Sequence, residues 1–144
     1  MNEPFSLRLN LFIAEVVSIP HYIVTSDKSI TSTFESVKEY YDKHGVIPVD
    51  GDHCDDTIFG HKSINIAFRA WHDFMHIQLN EDFSPMGELR VAFAQAAQLP
   101  DDWYYEKMLI MSEVAGQVAY HDKYGKFVEG QREFTTELLK TGKI

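Results

Sequence analysis

Apolar residues recur along most of this chain with a period near 3.6, the signature of helices with one buried face. The segment 64–80, INIAFRAWHDFMHIQLN, is the clearest case. On an ideal wheel Asn65, Arg69, His72, Asp73, His76 and Asn80 share about 100° of arc. The rest of the circumference is apolar: Ile64, Ile66, Phe68, Trp71, Phe74, Met75, Ile77 and Leu79. The pattern predicts a buried central helix capped by Ser63. Downstream, Ser84-Pro85 supplies a cap followed by a proline at the first helical position. It opens an alanine-rich helix to about Gln98, stopped before Pro100, with Glu88 and Gln95 on one face and Arg90 turned away. Asp101 or Asp102 is the expected cap of a long helix 103–124. It is apolar from Met108 to Tyr120 apart from Ser112, Glu113 and Gln117, and Glu106, Glu113, Gln117 and His121 fall within about 80°. A last amphipathic helix is expected over 127–140.

The first half is less regular. In 5–19, Leu7, Leu9 and Leu11 alternate with polar residues as in a strand, while Phe5, Leu9, Phe12, Ile13 and Val16 also make one helical face. The helix is preferred, with Ser6 as its cap and Pro20 as its stop. Residues 21–28 read as a loop or short extended piece. Ser32-Thr33-Phe34-Glu35 has the form of a capping box. It opens a helix through Tyr41 or His44, with Gly45 as the left-handed stop. Residues 46–60 read as a loop whose acidic centre, 50–56, fails the calcium-loop test, because Cys54 and Asp55 stand where a ligand and the glycine are required. A solvated turn is expected there. The expected fold is therefore all-α: one domain, 1–144, a bundle of about five or six helices around the central helix 64–80. No repeat, low-complexity segment or linker interrupts it.

Composition narrows the function classes. A net charge of −9 argues against a nucleic-acid surface, which needs a basic footprint. The acids are dispersed, which suits solubility better than mimicry of DNA. The single cysteine, Cys54, allows no intrachain disulfide and fits a reducing compartment. No basic region precedes an apolar run at the start, and the longest apolar run, 11–19, is broken by Glu15. A signal peptide and a membrane span are therefore not expected, and a cytoplasmic location is. Aromatic residues at 13% and seven histidines are the unusual figures, and so many aromatics in a short chain suit a core of large side chains or a pocket lined by them.

The chemistry concentrates on 69–76. Two histidines at i,i+4 on one helix can aim their rings at one cation. Neutral imidazole and carboxylate suit a divalent transition metal such as zinc, iron or manganese. The candidate ligands are His72 and His76, with Glu113, His121 and Glu88 offered by the next two helices. Arg69 is expected as a support for a ligand or a clamp for an anion, and Asp73 as the group that orients a ligand or activates water. Two other readings stay open. The stripe can be a buried or solvent-facing hydrogen-bond network without a metal, or a metal-free catalytic or ligand site. His21, His44, His53 and His61 are expected to be ordinary loop residues.

His72-Asp73-Phe74-Met75-His76 resembles the HExxH helix of zinc metalloproteases, with Asp in the place of Glu. The resemblance implies that His72 and His76 bind zinc and that Asp73, one methylene shorter, is the general base. Ala70-Trp71-His72-Asp73 also resembles the helix of the HD metal-dependent phosphohydrolases, which are all-helical. That family further requires an upstream helical His and a downstream Asp. Here His44 sits at a helix end, and Asp122 points away from the Glu113 stripe. A ferritin-like di-iron bundle would need two Glu-x-x-His pairs, which the chain lacks. Arg69 to His76, followed by Phe83 to Glu88, is similar to a pattern in small proteins of tailed phages, which implies a phage origin and a host-cytoplasm location but no activity. Together these point to a small metal-dependent enzyme, a hydrolase acting on a small molecule such as a phosphate ester or an amide. The alternative is a non-enzymatic phage structural or host-protein-binding protein with a buried His/Glu/Gln network.

Overall fold

The computed structural model describes residues 3–144. The chain runs through α1 (Leu7–Leu11), β1 (Tyr22–Thr25), α2 (Lys28–Thr31), α3 (Phe34–His44), β2 (Ile47–Asp50), α4 (Lys62–Leu79), α5 (Pro85–Ala97), α6 (Tyr104–Met111), α7 (Gln117–Tyr124) and α8 (Gln131–Thr141). A π-helical turn, Phe12–Val16, extends α1, and a second, Ser112–Gly116, joins α6 to α7 as one rod. The protein is mostly helical, but the expectation of an all-α bundle needs correction. β1 and β2 form a two-stranded parallel sheet, with Tyr22 opposite Ile47 and Thr25 opposite Asp50. Each strand is too short for a period-2 pattern to show, and a parallel pair has no turn signal between its members. β2 was part of the expected loop 46–60. Its Ile47 and Val49 are buried against α4, whereas β1 is largely exposed.

α4 is the spine of the molecule, as its wheel predicts. Ala67, Phe68, Trp71 and Met75 face a large core with Leu9, Ile13, Phe59, Val91, Leu109 and Ile110. Ile66 and Ala70 face a smaller one with Ile47, Val49 and Cys54. Trp71 is 1% exposed, and burying its ring contributes on the order of 2–3 kcal/mol. No helix among the described residues is long and apolar enough to cross a membrane.

Several helix ends differ from expectation. Ser6 does cap α1, accepting the Leu9 amide, but the helical run ends at Val16, before Pro20 is reached. The capping box of α3 is Thr33 with Ser36, not Ser32 with Glu35, because Ser32 closes the short helix α2. α4 begins at Lys62 with His61 as an extended cap residue, which leaves Ser63 inside the first turn. Trp103, rather than Asp101 or Asp102, precedes α6. Gly45 and Gly125 adopt the left-handed conformation at the ends of α3 and α7. The last helix starts at Gln131, after Gly130, rather than at 127.

Candidate metal centre

The polar stripe of α4 meets α5 in one small cluster. α4 ends at Asn80, whose left-handed backbone (φ 52°) reverses the chain. The connection then turns through Asp82, whose carboxylate accepts the Ser84 amide at 3.0 Å, and Ser84 caps α5 by accepting the Gly87 amide at 3.2 Å. This turn places Glu88 at the fourth residue of α5, opposite His72 and His76. Gly87 makes the approach possible: a Cβ there would lie 2.1 Å from the Asp82 carbonyl oxygen.

Both rings are held through Nδ1. His76 donates its Nδ1–H to the Glu81 carbonyl at 2.8 Å. His72 donates its Nδ1–H to Gln95 Oε1 at 2.6 Å, and Gln95 is fully buried. The two Nε2 atoms therefore turn towards each other, 3.1 Å apart, and towards Glu88 Oε2, at 2.7 Å from His72 and 3.4 Å from His76. The side chains of His72, His76 and Glu88 are 12%, 0% and 19% exposed. Phe83 packs edge-on against the His76 ring at 4.7 Å, and Phe68 stacks on His72 at 6.2 Å.

Three electron-pair donors so close together call for a cation or a shared proton. Burial works to raise the Glu88 carboxyl, but the hydrogen bonds to His72 and His76 outweigh it and hold the group at about 2. Burial likewise works against a charged His72; the Glu88 hydrogen bond and charge, with Asp73 and Gln95, outweigh it and raise this imidazole above its usual value. The donor spacing also suits a metal ion. A point about 1.1 Å off the plane of the three atoms lies about 2.1 Å from each, the ordinary distance to imidazole nitrogen and carboxylate oxygen. Two imidazoles and one carboxylate, each imidazole steered by an acceptor at its other nitrogen, form a recognised ligand set for zinc and for non-haem iron.

Of the residues singled out from sequence, His72, His76 and Glu88 are the ones that converge among the described residues. Asp73 lies beside them, partly exposed at the edge of the site, and burial pushes its carboxyl up to about 6 against the pull of His72 and His76. Arg69 is not an open anion clamp. Its guanidinium donates to the carbonyls of Asp50 at 2.5 Å, Asp52 at 2.7 Å and His53 at 3.1 Å, and so pins the loop after β2 onto α4. Glu113 sits on the second π-helical turn, outside the cluster. Burial raises its carboxyl to about 7, opposed by Gln117 and Arg69, and its Oε2 has no hydrogen-bond partner among the described residues. His121 is exposed and packs on Phe127 at 4.7 Å. Gln95 and the Glu81 carbonyl were not foreseen as part of the site. The spacing of Glu88 and Gln95 was the available signal: two helical turns apart on one face, they meet the two nitrogens of a single histidine.

A cleft of about 150 Å³ opens beside the cluster. Thr31, Val49, Asp50, Phe68 and Arg69 wall it, and it reaches His72 and Asp73. Set against known protein families, characterised proteins and solved structures, the chain matches none.

Proposed function

We propose that the protein is a small metal-dependent hydrolase. His72 Nε2, His76 Nε2 and the Glu88 carboxylate hold one divalent transition-metal ion, zinc, iron or manganese. The observation that carries this reading is the fixed orientation of the rings. With both Nδ1–H groups committed to Gln95 and Glu81, the two rings turn their Nε2 atoms towards each other and towards the Glu88 carboxylate, and in the neutral form each would offer a lone pair there. A divalent cation held there would supply the Lewis acidity that activates water for hydrolysis near neutral pH. Asp73 follows the first ligand directly, as the general base does in the HExxH helix, and borders the cleft from which a substrate would enter.

A metal-free reading has its own support. The 2.7 Å between His72 Nε2 and Glu88 is an ordinary length for a charge-assisted hydrogen bond, so one proton on His72 can take the cation's place. The chain would then be a binding or structural protein with a satisfied buried network. Metal analysis of protein purified without an affinity tag separates the two. The expected result is about one equivalent of transition metal per chain, lost in His72→Ala and Glu88→Ala and kept in Asp122→Ala. If no metal co-purifies and added zinc, iron or manganese leaves the melting temperature unchanged, the metal site does not exist. If metal is held but small amides and phosphate esters are turned over no faster by the parent than by His72→Ala, the hydrolase assignment fails.

A further inference from the structure

The small sheet has two outer edges, and the chain guards one of them. In a parallel ladder the backbone groups of each strand point alternately inward and outward. The Ile47 amide donates to the His21 carbonyl at 2.9 Å, and Tyr22 is in register with Ile47. The backbone groups of His21, Ile23 and Thr25 therefore face β2, while those of Tyr22 and Val24 face outward. On β2 the outward positions are Pro48 and Asp50. Pro48 has no N–H to offer, which closes that edge to a further strand.

β1 has no such guard. The outward N–H and C=O groups of Tyr22 and Val24 have no backbone partner among the described residues. The side chains are open too: Tyr22 is 39% exposed, Ile23 40% and Val24 53%. Exposed edges are commonly protected by charged side chains, yet no Lys, Arg, Asp or Glu stands between positions 16 and 26.

We propose that β1 is an interface between two copies of this chain, paired antiparallel about a two-fold axis at Ile23. The outward groups set this register. Tyr22 comes opposite Val24 of the second copy, and each such pair exchanges both N–H···O bonds. Ile23 then faces its own counterpart at the axis. A register centred on Tyr22 would set Val24 against Pro20, which lacks the N–H. The side chains suit the same pairing, with an aromatic ring against a β-branched residue on one face and Ile23 against Ile23 on the other. Each strand supplies both halves of every pair, so the edge is complementary to itself, as an isologous contact requires. Charge also admits a second copy: each chain carries −9, and this uncharged stretch lets two of them touch without opposing like charges. Three side chains from each copy bury far less than the ~800 Å² per partner of a stable complex, so the pairing is weak and reversible. It gives a four-stranded sheet in the order β2, β1, β1, β2, with Val49 and Asp50 of each cleft on an outer strand.

The test uses the untagged full chain. Sedimentation equilibrium is expected to show an apparent mass rising from one chain towards two between about 10 µM and about 1 mM. Over that range the Tyr22 and Val24 amides are expected to exchange more slowly with solvent. A mixture of ¹³C-labelled and unlabelled chains is expected to give an intermolecular Hα–Hα contact at Ile23, the mark of this register. Ile23→Lys sets two like charges at the axis, and Val24→Pro removes an outward N–H. Each is expected to weaken association by about tenfold or more, in variants shown by circular dichroism to fold. A parent chain that stays monomeric at about 1 mM, or a dimer undiminished in both folded variants, overturns the proposal. So does a monomer whose Tyr22 and Val24 amides shift when an alternating threonine–valine hexapeptide is added, because the edge then takes a foreign strand. If neither variant folds, the parent decides: a dimer without the intermolecular contact at Ile23 overturns the proposal.

Discussion

His76 donates its Nδ1–H to the backbone carbonyl of Glu81, across the turn that joins α4 to α5. A backbone carbonyl can only accept, so the neutral ring keeps its hydrogen on Nδ1 and leaves Nε2 bare. Long-range ¹⁵N–¹H correlation spectra of the metal-free protein are expected to find that hydrogen on Nδ1. A neutral His76 carrying its hydrogen on Nε2 would remove one of the three donors and with it the proposed site.

Gln95 plays the corresponding part for His72, through a side chain. Gln95→Leu deletes the acceptor that orients the ring, and zinc affinity measured by calorimetry is expected to fall by roughly 10–100-fold. Gln95→Glu keeps an acceptor at the same reach and is expected to retain most of the affinity. Equal losses in the two variants would show that packing, not orientation of the ring, is what Gln95 contributes.

Glu113 gives a dependence on pH whose sign follows from its burial. Its carboxyl titrates at about 7 in the folded chain, above the ordinary value of 4.5, because burial disfavours its charge. The folded state then keeps a proton that the unfolded chain has released. The associated stability is fully present below pH 4.5 and is lost as the pH rises through 7, by up to about 3 kcal/mol. Glu113→Gln cannot ionise. Urea unfolding at pH 5 and pH 8 is expected to show a smaller loss of stability in this variant than in the parent. Parallel losses in the two chains would mean that Glu113 titrates normally.

Arg69 holds the loop that follows β2. Arg69→Ala leaves the carbonyls of Asp50, Asp52 and His53 without their donor and is expected to cost about 2–4 kcal/mol. Limited proteolysis is expected to cut first near Gly51 in this variant. Resistance equal to the parent's would show that the β-strand pair holds the loop without help.

Gly87 is required by close approach, not by its backbone angles. A methyl group there meets the Asp82 carbonyl, so Gly87→Ala must move the connection or the first turn of α5. The expected loss is about 1–3 kcal/mol, read as a lower melting temperature, together with weaker zinc binding because Glu88 is the next residue. An unchanged melting temperature would show that the turn relaxes freely.

The central helix and its polar face could be read directly, because a long segment with one polar stripe leaves a strong periodic signal. Ser84-Pro85 and the glycine stops at 45 and 125 were equally plain, since each answers a local stereochemical demand. Cap positions 32, 63, 101 and 102 were misplaced where several polar residues stand in a row and tertiary packing chooses among them. β1 lies within the segment 21–28, one of whose two readings is a short extended piece, whereas β2 and the pairing of the two escape because four-residue strands carry almost no pattern and the pairing depends on residues far apart in sequence. Glu88 converges with His72 and His76, whereas Glu113 and His121 share a wheel angle and do not reach that cluster. An angle says nothing about height. His121 lies about 12 Å further along its helix than Glu113, at an exposed end.

The parallel pairing of β1 with β2 also bears on how the molecule assembles. No hairpin can zip these strands together; α2 and α3 must first bring their ends into reach, which carries the entropic cost of closing a long loop. The α4–α5 contact that forms the histidine–glutamate cluster spans a short connection and is kinetically favoured. Folding is thus expected to lay down the histidine–glutamate cluster early and to add the Val49 and Asp50 wall of the cleft late. An intermediate with the cluster formed but that wall missing would leave His72 and Asp73 open to bulk water.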